Sequence, residues 1–114
     1  MASSLTQLLY HIIYSTKHRE PLILESVRDD LYAYQGGIIR SLGGCLLKIN
    51  GMADHVHLVV RLKSEPSLAD VVRTVKAKSS KFVNELPSYQ GRFAWQTGYA
   101  AFTLNPSILD DVIA

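Results

Sequence analysis

A second cysteine, a long apolar run and a large surplus of either charge are all missing from this chain. No stretch stays apolar over the roughly 20 residues that a membrane-spanning helix needs, so no membrane anchor is expected. The first residues, Met1-Ala2-Ser3-Ser4, have neither the basic start nor the apolar core of a secretory signal. The one cysteine, Cys45, cannot form an internal disulfide, and its apolar surroundings predict a buried strand thiol in a reducing compartment. These absences point to the cytoplasm. The formal net charge of +2 permits a nucleic-acid partner without demanding one. No repeat, low-complexity segment or linker divides the 114 residues, so residues 1–114 are read as a single domain.

Hydrophobic residues make up 47% of the chain and charged residues 19%, which is enough apolar material for a core and excludes disorder. Leu8 to Ser15 is rich in β-branched and aromatic residues and predicts a strand. Leu24, Val27, Leu31, Tyr34, Ile38 and Leu42 recur at helical steps, and Gly43-Gly44 closes that helix. Gly36 and Gly37 inside it suggest close packing or a kink. Cys45 to Asn50 predicts a second strand, with a short turn at Gly51 to Asp54 into a third, Asp54 to Leu62. So short a link favours an antiparallel hairpin. Ser67 is placed as an N-cap for a helix from Leu68 to about Leu86, ended by Pro87. A last strand is expected within Phe93 to Leu104, centred on Tyr99 to Thr103. Asn105-Pro106 is expected to begin a final helix, with Ala114 falling partway through it, as if truncated. The order β-α-β-β-α-β is the ferredoxin-like split βαβ, an α+β fold. It predicts an antiparallel four-stranded sheet with two helices on one face, here with a C-terminal helical stub.

The third strand carries the most chemistry. Its alternation puts Val56, Leu58, Val60 and Leu62 on one face and His55, His57, Val59 and Arg61 on the other. The aliphatic face suits a core under the helices, which leaves the histidines on the uncovered face. Two imidazoles about 7 Å apart along a strand can serve a divalent metal. They can equally be two polar residues on a solvated sheet, and the pair alone does not decide. Lys17-His18-Arg19 at the end of the first strand reads either as a solvated loop or as a phosphate contact. Arg73, Lys76, Lys78 and Lys81 on the second helix read either as a solvated face or as a nucleic-acid contact.

Four blocks taken together carry a resemblance. They are Tyr10-His11-Ile12-Ile13-Tyr14-Ser15-Thr16-Lys17-His18-Arg19, then Gly51-Met52-Ala53-Asp54-His55-Val56-His57-Leu58-Val59-Val60. Ser67-Leu68-Ala69-Asp70 through Lys76-Ala77-Lys78-Ser79-Ser80-Lys81 is the third, and Phe93-Ala94-Trp95-Gln96-Thr97-Gly98-Tyr99-Ala100-Ala101-Phe102 the fourth. In this order and spacing they resemble the single-tyrosine HUH transposases of small bacterial insertion sequences. The relatives associated with repetitive extragenic palindromes look similar. The resemblance covers nearly the whole chain.

The resemblance implies a domain that binds single-stranded or hairpin DNA and cuts and rejoins it through a 5′-phosphotyrosine intermediate. It implies His55 and His57 as ligands of Mg²⁺ or Mn²⁺, and a homodimer. With it, Lys17, Arg19, Arg61, Arg73, Lys76, Lys78 and Lys81 become the expected DNA-binding residues. The nucleophilic tyrosine is expected just after Ala114, and none of the six tyrosines present matches it. A non-catalytic DNA-binding remnant or regulator of the same fold is the alternative. A ferredoxin-like protein with an incidental histidine pair is a third reading.

Overall fold

The computed structural model describes residues 8–108 of the chain. Strands β1 (Leu8–Ser15), β2 (Cys45–Met52), β3 (His55–Leu62) and β4 (Ala100–Thr103) form one sheet in the order β2-β3-β1-β4. Every neighbouring pair is antiparallel. Helices α1 (Glu25–Ser41) and α2 (Leu68–Asn84) complete the expected β-α-β-β-α-β order. Their contacts with the sheet follow the alternation of β1 and β3. Ile12 and Tyr14 of β1 are buried with Val56, Leu58, Val60 and Leu62 of β3, in one cluster with Leu31, Ile38 and Ile39 of α1 and Val71, Val72, Val75 and Val83 of α2. Each such side chain stabilises the fold by about 1.5–3 kcal/mol through loss of apolar surface to water.

Most boundaries fall within two residues of the sequence reading. Ser67 caps α2, its hydroxyl accepting from the Asp70 backbone N–H at 3.1 Å. Gly43 ends α1 in the left-handed region, φ 86°, where its N–H reaches Arg40 and that of Gly44 reaches Ile39. A Cβ on Gly36 would meet Leu46 at 3.2 Å, so this glycine serves close helix–strand packing, and α1 runs on through it.

One reading needs correction. Cys45 is exposed, because it opens β2, an edge strand. Leu24 and Tyr34 are also exposed; Leu24 precedes the first turn of α1, and Tyr34 lies outside the core, stacked on Phe82 at 4.2 Å. The last strand falls within the expected span and is four residues long, since residues 93–99 meet β1 only around Thr16 and are otherwise bonded by side chains of α2. Asn84 takes the Phe93 N–H and donates to its carbonyl, at 2.8 and 2.9 Å, and Lys76 takes the carbonyls of Gln96 and Gly98. One bridge, Thr16 to Trp95, is all that this segment adds to the sheet. Asn105 caps a single turn over Pro106–Ile108, accepting from the Ser107 N–H at 2.9 Å. The expected final helix lies outside the described residues from 109 onward.

Candidate metal and nucleic-acid site

The turn between β2 and β3 and the end of β1 are tied together at Thr16. Its side chain is fully buried, its N–H and hydroxyl both reach the Asp54 carbonyl, and the hydroxyl also reaches that of Glu20. The chain then turns sharply, with His18 and Arg19 both in the left-handed region at φ 57° and 55°. That turn exposes Lys17, His18 and Arg19 beside the start of β3.

From this corner a line of polar contacts runs onto the uncovered sheet face. Arg19 donates to Asp54 Oδ2 from two nitrogens, at 3.2 and 3.3 Å, and Asp54 Oδ1 pairs with His55 Nδ1 at 2.8 Å. The His55 and His57 rings sit edge to face with centroids 5.0 Å apart. His57 Nδ1 is 3.0 Å from His11 Nε2 on β1. The hydrogen bond with His55 holds the Asp54 carboxyl below its usual value, and Arg19 adds to this. Burial pushes the His57 imidazole below its ordinary value, helped by the neighbouring His11 and His55. The neutral ring, which is the form a metal binds, is therefore favoured.

These side chains border a cavity of about 380 Å³ lined by His11, Lys48, Asn50, Met52, His55 and His57 together with Gly51 and Val59. A larger cavity of about 560 Å³ lies between α2 and residues 94–99 and contains no histidine. The histidine pair borders the smaller one.

With the Nδ1 atoms of His55 and His57 both engaged, a divalent ion such as Mg²⁺ or Mn²⁺ would be taken by their Nε2 atoms, wherever Nδ1 carries the proton, as part of a coordination set. Among the described residues no three His, Cys, Asp or Glu side chains converge as a full set. Asp54 belongs behind His55 as its orienting partner.

The expected DNA-binding cations do not share one surface. Lys17 and Arg19 flank the histidine corner. Arg61 is on the histidine face, about 13 Å along β3 from His57. Its Nε is buried without a hydrogen-bond partner. Arg73 and Lys76 line the larger cavity, on the helix side. Lys78 and Lys81 are exposed on α2.

Residues 4–114 match the family model described as Transposase IS200 like. The chain belongs to the IS200-like transposase family. The ISDra2 transposase TnpA of Deinococcus radiodurans is 29% identical over 75 residues, 66% of this chain. That match covers 54% of the relative, so the chain spans about half the length of this curated protein. Two solved structures share the fold. One, from Deinococcus radiodurans R1 and assigned as a transposase, has a TM-score of 0.74 at 23% identity, covering 95% of this chain and 87% of its own. The other is a REP-associated tyrosine transposase bound to a REP hairpin. It has a TM-score of 0.69 at 12% identity, covering 93% of this chain and 62% of its own.

In this IS200-like chain the sequence reading gave no role to His11. Its signal was present: His11 interrupts an apolar strand on the face opposite Tyr10, Ile12 and Tyr14. What brings it to His57 is the β1–β3 register, which alternation does not reveal. Lys48 and Asn50 of β2 join the cavity for the same reason.

Proposed function

We propose that this IS200-like transposase domain binds single-stranded or hairpin DNA on its uncovered sheet face, with a scissile phosphate at His55 and His57. The observation that carries the reading is this histidine pair, with both Nδ1 atoms engaged beside an open cavity, in a chain of this family. The hairpin held by the similar structure indicates the form of DNA to test. His55 and His57 would hold Mg²⁺ or Mn²⁺, which when bound would polarise the phosphate. Lys17 and Arg19 meet the backbone beside the pair, and Arg61 meets it farther along. Arg73, Lys76, Lys78 and Lys81 extend the contact only where DNA passes around to α2.

In the proposed cleavage a tyrosine oxygen bonds to phosphorus and the 3′-oxygen leaves, giving a 5′-phosphotyrosine and a 3′-hydroxyl; the reverse attack rejoins the strand. No tyrosine lines the histidine cavity. Tyr14 is buried on the helix side, its phenol pushed far up by burial, and Tyr89 donates to the Leu22 carbonyl at 2.9 Å. Tyr99 borders the other cavity. The reading takes its nucleophile from the family resemblance, which implies a tyrosine after Ala114. It also includes a homodimer joined through a sheet edge, β2 or β4, as unpaired edges invite. Light scattering that gives the mass of one chain at micromolar concentration removes the dimer from the reading.

The test is denaturing electrophoresis of labelled hairpin DNA with Mn²⁺. Residues 1–114 are expected to bind the hairpin without forming an adduct. A chain extended by a helix carrying a tyrosine is expected to form one. An adduct from residues 1–114, mapped to Tyr89 or Tyr99, overturns the assignment of the nucleophile. Binding without an adduct from either chain favours the non-catalytic DNA-binding reading.

A further inference from the structure

We infer that His11 is a positioning residue for His57, fixing the ring and the tautomer that leave His57 Nε2 free to take a metal ion. The inference rests on the reading that His55 and His57 hold such an ion. In the β1–β3 register His57 lies opposite Ile13 and His11 opposite Val59, so the two histidines are diagonal neighbours on one sheet face. Their rings approach to 5.2 Å between centroids, tilted by 37°, with His11 Nε2 and His57 Nδ1 3.0 Å apart. Phe102 of β4 stands 6.4 Å from the His11 ring on its other side. His11 is thus held between a metal-site histidine and an aromatic ring.

One proton lies between the two nitrogens, since a hydrogen bond needs one donor and one acceptor. If His57 Nδ1 carries it, His57 Nε2 keeps its lone pair for a metal and His11 accepts. If His11 Nε2 carries it, a neutral His57 holds its proton on Nε2 and cannot bind there. Asp54 imposes the same choice on His55 more strictly, because a carboxylate only accepts and His55 Nδ1 must donate. The two imidazoles therefore have different supports, an aspartate for His55 and a histidine for His57. The nitrogen that His11 turns toward the pair is already engaged with His57, so His11 acts through that ring rather than as a third ligand.

The test uses the whole chain as wild type, His11→Gln and His11→Leu. Gln retains a polar acceptor on a long side chain; Leu removes it. Nitrogen-15 NMR of the metal-free protein reads the His57 tautomer directly, and wild type and His11→Gln are expected to carry the proton on Nδ1. His11→Leu is expected to lose that preference and to bind Mn²⁺ about 10–100-fold more weakly, with His11→Gln recovering most of the affinity. A wild-type His57 protonated on Nε2 overturns the inference, whether or not any variant folds. So does unchanged Mn²⁺ affinity in His11→Leu, or a third imidazole directly bonded to Mn²⁺ by pulsed electron spin resonance. Failure of the underlying metal reading is distinguishable: wild-type Mn²⁺ binding would then be absent, or indifferent to His55→Ala with His57→Ala, while the tautomer remained measurable.

Discussion

Lys76 of α2 donates to the carbonyl oxygen of Gln96 at 2.6 Å, and the same ammonium reaches the Gly98 carbonyl at 2.7 Å. It also lies 5.5 Å from the centre of the Tyr14 ring, and burial pushes its pKa down. This lysine therefore helps hold residues 96–98 against α2. Lys76→Met is expected to cost about 2 kcal/mol through the loss of charge-assisted hydrogen bonds, read as a lowered denaturant midpoint. Lys78→Met, at an exposed position on the same helix, is expected to stay within about 0.5 kcal/mol of wild type. Equal effects from the two would show that the Lys76 contacts contribute nothing to stability.

Tyr14 and Gln35 form a buried polar pair, with Gln35 Nε2 donating to the Tyr14 hydroxyl at 2.7 Å. Tyr14→Phe leaves the Gln35 amide without that partner and is expected to cost about 1–3 kcal/mol near neutral pH. The pair also has an alkaline signature. Burial raises the Tyr14 pKa in the folded chain, so the unfolded chain releases this proton first. The contribution is complete below the ordinary phenol value near 10 and declines as pH rises above it, by about 1.4 kcal/mol per pH unit for one proton. Tyr14→Phe is expected to flatten the fall in stability above pH ~10 by that amount. Parallel wild-type and variant curves there would contradict the assignment.

Removal of both imidazoles should abolish the proposed metal site. His55→Ala with His57→Ala is expected to eliminate calorimetric Mn²⁺ binding while the helix signal in circular dichroism is retained, because both residues face away from the core. Mn²⁺ binding that survives the double substitution would place the ion elsewhere.

DNA binding should be salt-dependent, since phosphate contacts release counterions. Arg61→Gln, on the histidine face, is expected to weaken hairpin binding and to lower the slope of log affinity against log salt by about one. Lys78→Gln with Lys81→Gln tests whether the strand also reaches α2. A slope that changes only for the α2 variants would put DNA on the helix side and remove Arg61 from the contact.

The alternation of β3 and the helical spacing of α2 were enough to place His55 and His57 on the face away from the helices. That follows because an antiparallel strand with one aliphatic face has only one way to bury it. Residue spacing likewise located β1, α1 and the Ser67 cap, which depend on contacts within a few positions. The start of the last strand was different. Whether residues 93–99 joined the sheet depended on Asn84 and Lys76, side chains from an earlier helix that compete for the same backbone groups. Cys45 was exposed because β2 took the edge, a consequence of strand order that its own neighbours do not encode. His11 reached His57 only through the β1–β3 register, and Asp54 came to stand between Arg19 and His55 only through the two turns joined at Thr16. Periodicity is local and therefore legible along the chain; the partners of a polar group are chosen by which strands and turns meet, and that choice exists only in the folded molecule.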